Sequence, residues 1–176
     1  MHKRHEMIGS QAMNRHVHVW CYGHYGPPLI VFPSAAGFAH EWDAHGMIDA
    51  LAPLINAGKL KLYCAESNVS KSWTAKNDPR VRMMHHQAYE QFVIKELMPW
   101  IAADCRQEFI RVGVMGCSLG GFYAANFALK FPEHIFWSLA MSGRYLMTNF
   151  TQGFSNQDVY FNNPIAFVSN LHGEHL

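Results

Sequence analysis

The sequence predicts one α/β domain, with a mostly parallel sheet flanked by helices and an antiparallel start. Two observations predict it. Short apolar runs alternate with segments whose apolar residues recur at three- and four-residue spacing, which is typical of βαβ units. The chain has 176 residues, which is enough for one sizeable core but not for two. Without repeats, linkers or low-complexity tracts, residues 1–176 form a single predicted domain.

The predicted elements follow one another along the chain. Polar and apolar residues alternate over 15–22, the period of a half-buried strand, and 29–32 is a continuous apolar run typical of a strand covered on both faces. Further strands are predicted over 60–64, 109–115 and 135–141, and helices over 47–55, from Pro79 to about residue 101, and over 122–131. Asp78 and Pro79 form a helix start, and Pro99 predicts a kink.

Composition excludes several classes of protein. Aromatic residues make up 14% of the chain and charged residues only 15%, which excludes intrinsic disorder. The net charge of +1 gives no basic surface for nucleic acid or for an anionic membrane. No apolar run approaches the ~20 residues that cross a bilayer. The basic residues at the start precede no apolar stretch, so no secretory signal is predicted.

Cysteine and histidine patterns indicate neither disulfides nor metal. The four cysteines include no C-x-x-C pair, and three lie in or beside apolar runs, where Cys packs as a small hydrophobe. We therefore expect reduced cysteines and a cytoplasmic protein. The pairs His16/His18 and His85/His86 lack the spacing of a zinc site. Neither a metal nor another cofactor is expected.

Residues 116–121, Gly-Cys-Ser-Leu-Gly-Gly, contain the G-x-S-x-G pattern directly between a predicted strand and a predicted helix. That context is typical of a nucleophile elbow, in which a sharp turn presents Ser118 and excludes side chains two positions before and after it. The backbone N–H of Leu119 would be one oxyanion donor, and the small-residue loop 34–37 would supply a second. The alternatives are tight strand–helix packing and a phosphate loop, although the Lys-Ser/Thr of a P-loop is missing.

Several stretches together resemble the Putative esterase (esterase D-like) branch of the α/β hydrolases. They are residues 114–121, 126–128 and 131–132, the earlier 31–34, 41–43 and 46–47, and the late run 158–164. The resemblance covers nearly the whole chain. It implies an α/β-hydrolase sheet and ester hydrolysis or acyl transfer by a serine nucleophile, with Ala35 as the second oxyanion donor.

The acid and base of a catalytic triad are harder to place. In this fold they follow the serine in the order acid, then histidine, each on the loop after its own strand. The acids after Ser118 are Glu133, Asp158 and Glu174, and the histidines are His134, His172 and His175. Only Asp158 with His172 has the right order and separation. Asp158 would alternatively cap or order a loop.

No strand-like run lies between residues 141 and 158, and 164–168 predicts a short helix. The preferred alternative is therefore a chain truncated at its C-terminus, whose acid, histidine and last two strands lie beyond Leu176. In that case the strand over 135–141 becomes an exposed apolar edge, which favours homo-oligomers or aggregation.

The sequence thus predicts a serine carboxylesterase acting on a small-molecule ester, with Ser118, Leu119 and Ala35 in the site. We do not expect the protein to bind nucleic acid or a membrane. Two alternatives stay open: a non-catalytic α/β-hydrolase-fold module for binding or assembly, and an acyltransferase. Trp42, Trp73 and Phe38 are candidates for a pocket wall, and ordinary packing is the other interpretation of these three side chains.

Overall fold

A computed structural model describes residues 1–172, which form a six-stranded sheet in the order β1-β2-β4-β3-β5-β6. The strands are β1 Lys3–Ser10, β2 Arg15–Tyr22, β3 Pro28–Phe32, β4 Lys61–Ala65, β5 Val112–Cys117 and β6 Ile135–Met141. β2 is antiparallel to both β1 and β4, whereas β3 is parallel to β4 and β5, and β5 is parallel to β6. The predicted mostly parallel sheet with an antiparallel start is confirmed.

The helices are α1 Glu41–Ala44, α2 Met47–Asn56, α3 Pro79–Gln91, α4 Met98–Asp104, α5 Leu119–Lys130, α6 Gln157–Tyr160 and α7 Pro164–Phe167. A π-helical segment, Phe92–Leu97, joins α3 to α4. Pro99 lies in the first turn of α4, and it has no N–H to pair with the carbonyl four residues earlier. The kink predicted at Pro99 therefore takes the form of a π-helical turn just before it. None of the helices in residues 1–172 is long and apolar enough to cross a membrane.

The two faces of the sheet bury different residues of the same strands. Ile30 and Phe32 face one layer, formed by α3, α4 and α5, and Leu29 and Val31 face the other layer, formed by α1 and α2. This alternation explains why β3 is apolar at every position, since a strand covered on both faces has no solvent side.

Local sequence signals set several boundaries correctly. β2 and β6 have the predicted bounds, and the Asp78 carboxylate accepts a hydrogen bond of 2.8 Å from the N–H of Arg80 at the start of α3. The start of β5 was predicted three residues too early. Phe109 is 64% exposed, because the apolar run continues into the loop before the strand, where hydrophobicity no longer reports pairing.

β1 is a strand that the pattern did not locate. Its residues are mostly polar, and only Ile8 and Ser10 are buried. It is an edge strand held by pairing to β2 over its whole length. An edge strand of this kind has little hydrophobic periodicity, so only the tertiary pairing reveals it.

β6 forms the other edge of the described sheet, and large apolar side chains on both of its faces contact solvent. Phe136, Trp137 and Leu139 are 45%, 43% and 38% exposed. In the part of the chain that the structure describes, β6 pairs only with β5. The exposed apolar edge expected from the sequence is therefore present in residues 1–172.

A buried polar network connects α3 with α5, the helix that follows the elbow. His86 of α3 is fully buried and accepts a hydrogen bond from the indole N–H of Trp73 at 3.2 Å. Its Nε2 donates to Oδ1 of Asn162 at 2.8 Å, and the same oxygen accepts from Asn126 of α5 at 2.8 Å. Trp73 therefore belongs to the core, and the packing interpretation of this side chain is the correct one.

Candidate active site

Ser118 is the single residue between β5 and α5, and its backbone is strained. Its φ of 59° and ψ of −118° lie in a region that non-glycine residues rarely adopt, at a cost of about 1–3 kcal/mol. The Ser118 N–H donates to the carbonyl of Met141 at the end of β6, at 2.9 Å. This contact holds the turn against the neighbouring strand while the hydroxyl projects from its tip.

The glycines around Ser118 allow the turn to be this tight. A Cβ on Gly116 would lie 2.4 Å from backbone atoms of Gly120, and one on Gly120 would lie 2.4 Å from the carbonyl oxygen of Phe32. Such distances are far inside van der Waals contact, and backbone atoms cannot move away as side chains can. Glycine at positions −2 and +2 from the serine is thus a steric requirement of the packing of α5 on β5 and β3.

Ser118 lies at the N-terminus of the 12-residue helix α5, where helical N–H groups point outward and the helix dipole is positive. Within residues 1–172, neither the Ser118 hydroxyl nor the N–H of Leu119 has a hydrogen-bond partner. An anion forming next to Ser118 would therefore meet an unpaired N–H at the positive end of a dipole.

The loop after β3 lies beside the elbow because β3 and β5 are parallel neighbours. Phe32 is in register with Gly116, so both strands end at the same edge and the loop 33–37 runs next to Ser118. Ala35 is exposed in a turn closed by the hydrogen bond from Gly37 N–H to the Ser34 carbonyl, 3.1 Å. As described for residues 1–172, the Ala35 N–H also has no acceptor.

Glu41 braces this loop, a role that the sequence analysis missed. Its Oε1 accepts the N–H of Ser34 at 2.9 Å, from the first residue of α1. Its Oε2 is buried without a partner in the described part of the chain. The only signal in the sequence is an acid seven residues beyond Ser34, and the two become neighbours only when the loop folds back.

A cavity of about 570 Å³ opens between α1, the loop after β3 and the elbow. Phe38 and Trp42 contribute to its walls together with Met47, Cys117 and Met141. Two of the three aromatic residues considered as pocket candidates therefore line it. Trp42 is 5% exposed and Phe38 57%, so the first belongs to the wall and the second to the rim.

The cysteines are all free. Cys21 and Cys64 are buried as expected, and burial raises the pKa of the Cys21 thiol to about 12. Cys117 is exposed at the elbow, contrary to the expectation for a cysteine beside an apolar strand, because it is the last residue of β5 and faces the cavity. No set of three or more His, Cys, Asp or Glu residues in 1–172 is arranged to hold a metal ion.

The structure does not bring the proposed acid and base to Ser118. Asp158 lies in the first turn of α6, where its carboxylate accepts from the side chain of Asn156 at 3.1 Å. His172 is exposed and, over residues 1–172, hydrogen-bonds neither Asp158 nor Ser118. Glu133 lies 3.5 Å from Nε2 of the adjacent His134, and no hydrogen bond joins it to Ser118 among residues 1–172. The candidates Glu174 and His175 lie outside the described residues.

Comparison with known proteins gives a family and a fold. The sequence matches the family model described as Putative esterase over residues 10–154. No curated protein matches the sequence.

Among solved structures, a ferulic acid esterase has a TM-score of 0.75 with 16% identity over 99% of this chain and 74% of its own. An S-formylglutathione hydrolase from Agrobacterium tumefaciens has a TM-score of 0.74 with 16% identity, over 96% of this chain and 70% of its own. The fluorophosphonate-binding serine hydrolase F of Staphylococcus aureus has a TM-score of 0.71 with 11% identity, over 96% and 72%. At these identities the likeness concerns the fold.

Proposed function

The chain belongs to the Putative esterase family, and from this premise we propose that it hydrolyses carboxylic esters with Ser118 as the nucleophile. One observation carries the proposal. Ser118 has a strained backbone at the N-terminus of α5, and among residues 1–172 neither its hydroxyl nor the N–H of the next residue, Leu119, has a hydrogen-bond partner. Strain and unpaired donors both cost free energy, and they are typical of sites where a ligand supplies the missing partner.

The geometry supports a two-step acyl transfer. Ser118 Oγ attacks the ester carbonyl, its proton passes to a base, and the carbonyl oxygen becomes an oxyanion that accepts hydrogen bonds from the N–H groups of Leu119 and Ala35. Collapse of this intermediate expels the alcohol, which takes up the proton. Water then attacks acyl-Ser118 by the same route, releasing the carboxylic acid and restoring the hydroxyl.

No histidine of residues 1–172 hydrogen-bonds Ser118. The general base must therefore be identified by mutating the candidate histidines. His172 with Asp158 is the pair that chain order favours. A His172→Ala variant that loses turnover would assign His172 as the base. Turnover equal to that of the unmodified chain would exclude it, as expected from its exposed position.

A fluorophosphonate probe tests the nucleophile directly. The S. aureus hydrolase of similar fold is described as fluorophosphonate-binding, and such probes react with activated serines. We expect a single adduct on Ser118 by peptide mass spectrometry, and no adduct in Ser118→Ala. Ser155→Ala, which changes an exposed loop serine, is the matched control and should label normally.

Turnover of p-nitrophenyl acetate should fall about 10³-fold or more in Ser118→Ala. A folded protein that carries no label on Ser118 would contradict the proposal. Labelling without any turnover would favour the second candidate, a non-catalytic binding module. That candidate is favoured because, within residues 1–172, neither Asp158 nor His172 hydrogen-bonds Ser118.

A further inference from the structure

We propose that the 570 Å³ cavity binds the apolar, uncharged part of the ester, so that the preferred substrates are neutral esters with an alkyl or aryl group of intermediate size. This inference rests on the proposed function, because it names the substrate class of the same site. It is argued from the position of the cavity, the chemistry of its walls and its volume.

The cavity is lined by direct neighbours of Ser118 and Ala35, two of the residues assigned to the reaction. Cys117 directly precedes Ser118, and the carbonyl of Met141 accepts the Ser118 N–H. Ser34 and Ala36, on either side of Ala35, also line it. A substrate carbonyl placed between Ser118 and Ala35 would therefore extend one of its two substituents into this space.

The walls are mostly apolar, and one of their few polar groups, Oε2 of Glu41, is buried without a partner in the described part of the chain. Phe38, Trp42, Met47 and Met141 supply aromatic and thioether surface. Among the described lining residues there is no Lys or Arg. Glu41 accepts from Ser34, and Nδ1 of His45 donates to the Glu41 carbonyl at 2.8 Å.

An anionic substituent would have to leave water for a surface with no lysine or arginine to receive it. Burying a carboxylate without a partner is strongly unfavourable, whereas burying a methylene is favourable. His40, which also lines the cavity, stacks on the exposed Phe38 and lies with it toward the solvent side. The walls therefore select for neutral, apolar groups.

The volume sets an upper limit on the substituent. A cavity of this size falls in the range of small-molecule sites, about 300–1,000 Å³. Its volume is larger than that of an acetyl group and is sufficient for a chain of several methylenes or an aromatic ring. Each methylene buried against such walls contributes about 0.8 kcal/mol, which corresponds to about a fourfold gain in kcat/KM.

Two ester series test this with the full chain. One is p-nitrophenyl acetate, butyrate and hexanoate, which varies the acyl group, and the other is methyl, butyl and hexyl acetate, which varies the alcohol. We expect kcat/KM to rise about fourfold per methylene in one series, and the series that rises identifies the substituent in the cavity. We also expect p-nitrophenyl butyrate to exceed the anionic p-nitrophenyl hemisuccinate at least about tenfold.

A pair of alanine variants ties the effect to the cavity. Ala44 is exposed on α1 and lines it, so Ala44→Phe fills the space without removing core packing. Ala50→Phe introduces the same ring on the exposed surface of α2, outside the cavity lining. Ala44→Phe should flatten the rise with chain length, and Ala50→Phe should preserve it.

A binding measurement separates failure of this inference from failure of the proposed function. Ser118→Ala keeps the cavity and needs no turnover, so calorimetry should detect p-nitrophenyl hexanoate binding more tightly than the acetate, with the difference lost in Ala44→Phe/Ser118→Ala. Labelled, active protein with a flat profile in both series would overturn the inference alone. Absence of label on Ser118 would overturn the proposed function. Even then the inference about the cavity can be judged separately: equal binding of p-nitrophenyl hexanoate and acetate to Ser118→Ala would overturn it.

Discussion

Two cavities of similar volume lie at opposite edges of the sheet. The polar groups beside one are paired with opposite charges, and the serine hydroxyl beside the other has no hydrogen-bond partner in the described residues. The cavity at the carboxyl edge, beside Ser118, measures about 570 Å³, and the one at the amino edge, lined by Pro28, Lys61 and Asp104, about 500 Å³. At the amino edge the Asp104 carboxylate lies 2.7 Å from both Lys61 and Arg4. Within residues 1–172, Ser118 Oγ at the other edge has no partner.

The difference separates stability from reactivity. A buried carboxylate surrounded by donors contributes to folding, because the folded state holds its charged form better than water does. Unpaired N–H groups and a strained serine contribute nothing to folding and cost free energy, but they leave hydrogen-bonding capacity for a ligand. Four experiments test whether stability depends on the amino edge and reactivity on the carboxyl edge.

The largest expected effect is that of Gly120→Ala at the carboxyl edge. Its Cβ would lie 2.4 Å from the Phe32 carbonyl oxygen and 2.7 Å from that of Pro33, so we expect a loss of about 3 kcal/mol in the free energy of unfolding. Gly153→Ala is the control, with φ of 81° but no atom within 4 Å of its Cβ, and should cost about 1 kcal/mol. Urea denaturation measures both. Equal losses would mean that steric contact does not determine the elbow.

Asp104→Asn should have the next largest effect, confined to a defined pH range. Burial alone would raise the pKa of Asp104, but hydrogen bonds from Lys61, Tyr63 and Arg4 lower it to about 2. Because the folded pKa lies below the ordinary value of 3.8, the stabilisation is complete above that value and is lost as the pH falls toward 2. We expect the variant to lose about 1–2 kcal/mol at neutral pH, because solvent around this partly buried carboxylate screens part of the interaction.

The pH dependence is the diagnostic part of that experiment. Stability of the unmodified chain should decline between pH 4 and 2 more steeply than that of Asp104→Asn, as followed by circular dichroism in urea. Parallel declines would show that Asp104 does not carry the acid sensitivity of the amino edge.

Glu41 should affect turnover more than folding. Glu41→Ala removes the acceptor of the Ser34 N–H and frees the loop that carries Ala35, so we expect kcat for p-nitrophenyl butyrate to fall about tenfold with little change in KM. Glu41→Gln retains a carbonyl oxygen at the same place and should restore most of the rate. A rate loss shared equally by both variants would argue against a positioning role.

The smallest effects compare two strained residues, one at each edge. Arg106, at the amino edge, has φ of 57°, close to the 59° of Ser118. Replacing either with glycine relieves strain, so both should gain about 0.5–1 kcal/mol in the free energy of unfolding. Arg106→Gly should keep fluorophosphonate labelling and Ser118→Gly should lose it. Loss of labelling in both would remove the functional distinction between the two edges.

Much of the fold could be predicted from the sequence because its signals are local. The alternation over 15–22, the Asp78–Pro79 helix start and the glycine at 116 each depend on contacts or dihedral angles within a few residues. Ser118 could be placed between a strand and a helix for the same reason. The polar edge strand β1 and the true start of β5 depend on pairing with distant segments. Local periodicity therefore did not predict β1 and predicted the start of β5 too early.

The sequence alone therefore determined the α/β class, the elbow and the candidacy of Ser118 and Leu119, since the residues that set them are adjacent in the chain, and the candidacy of Ala35 came from the family resemblance. Only the tertiary structure decided that Glu41 braces the Ser34 N–H, that Trp42 lines the cavity while Trp73 is in the core, and that Asp158 bonds Asn156. The cavity itself forms where the parallel strands β3 and β5 bring the segments that follow them to one edge of the sheet. Their geometry follows from the packing of α5 on β3 and β5, which no short stretch of sequence encodes.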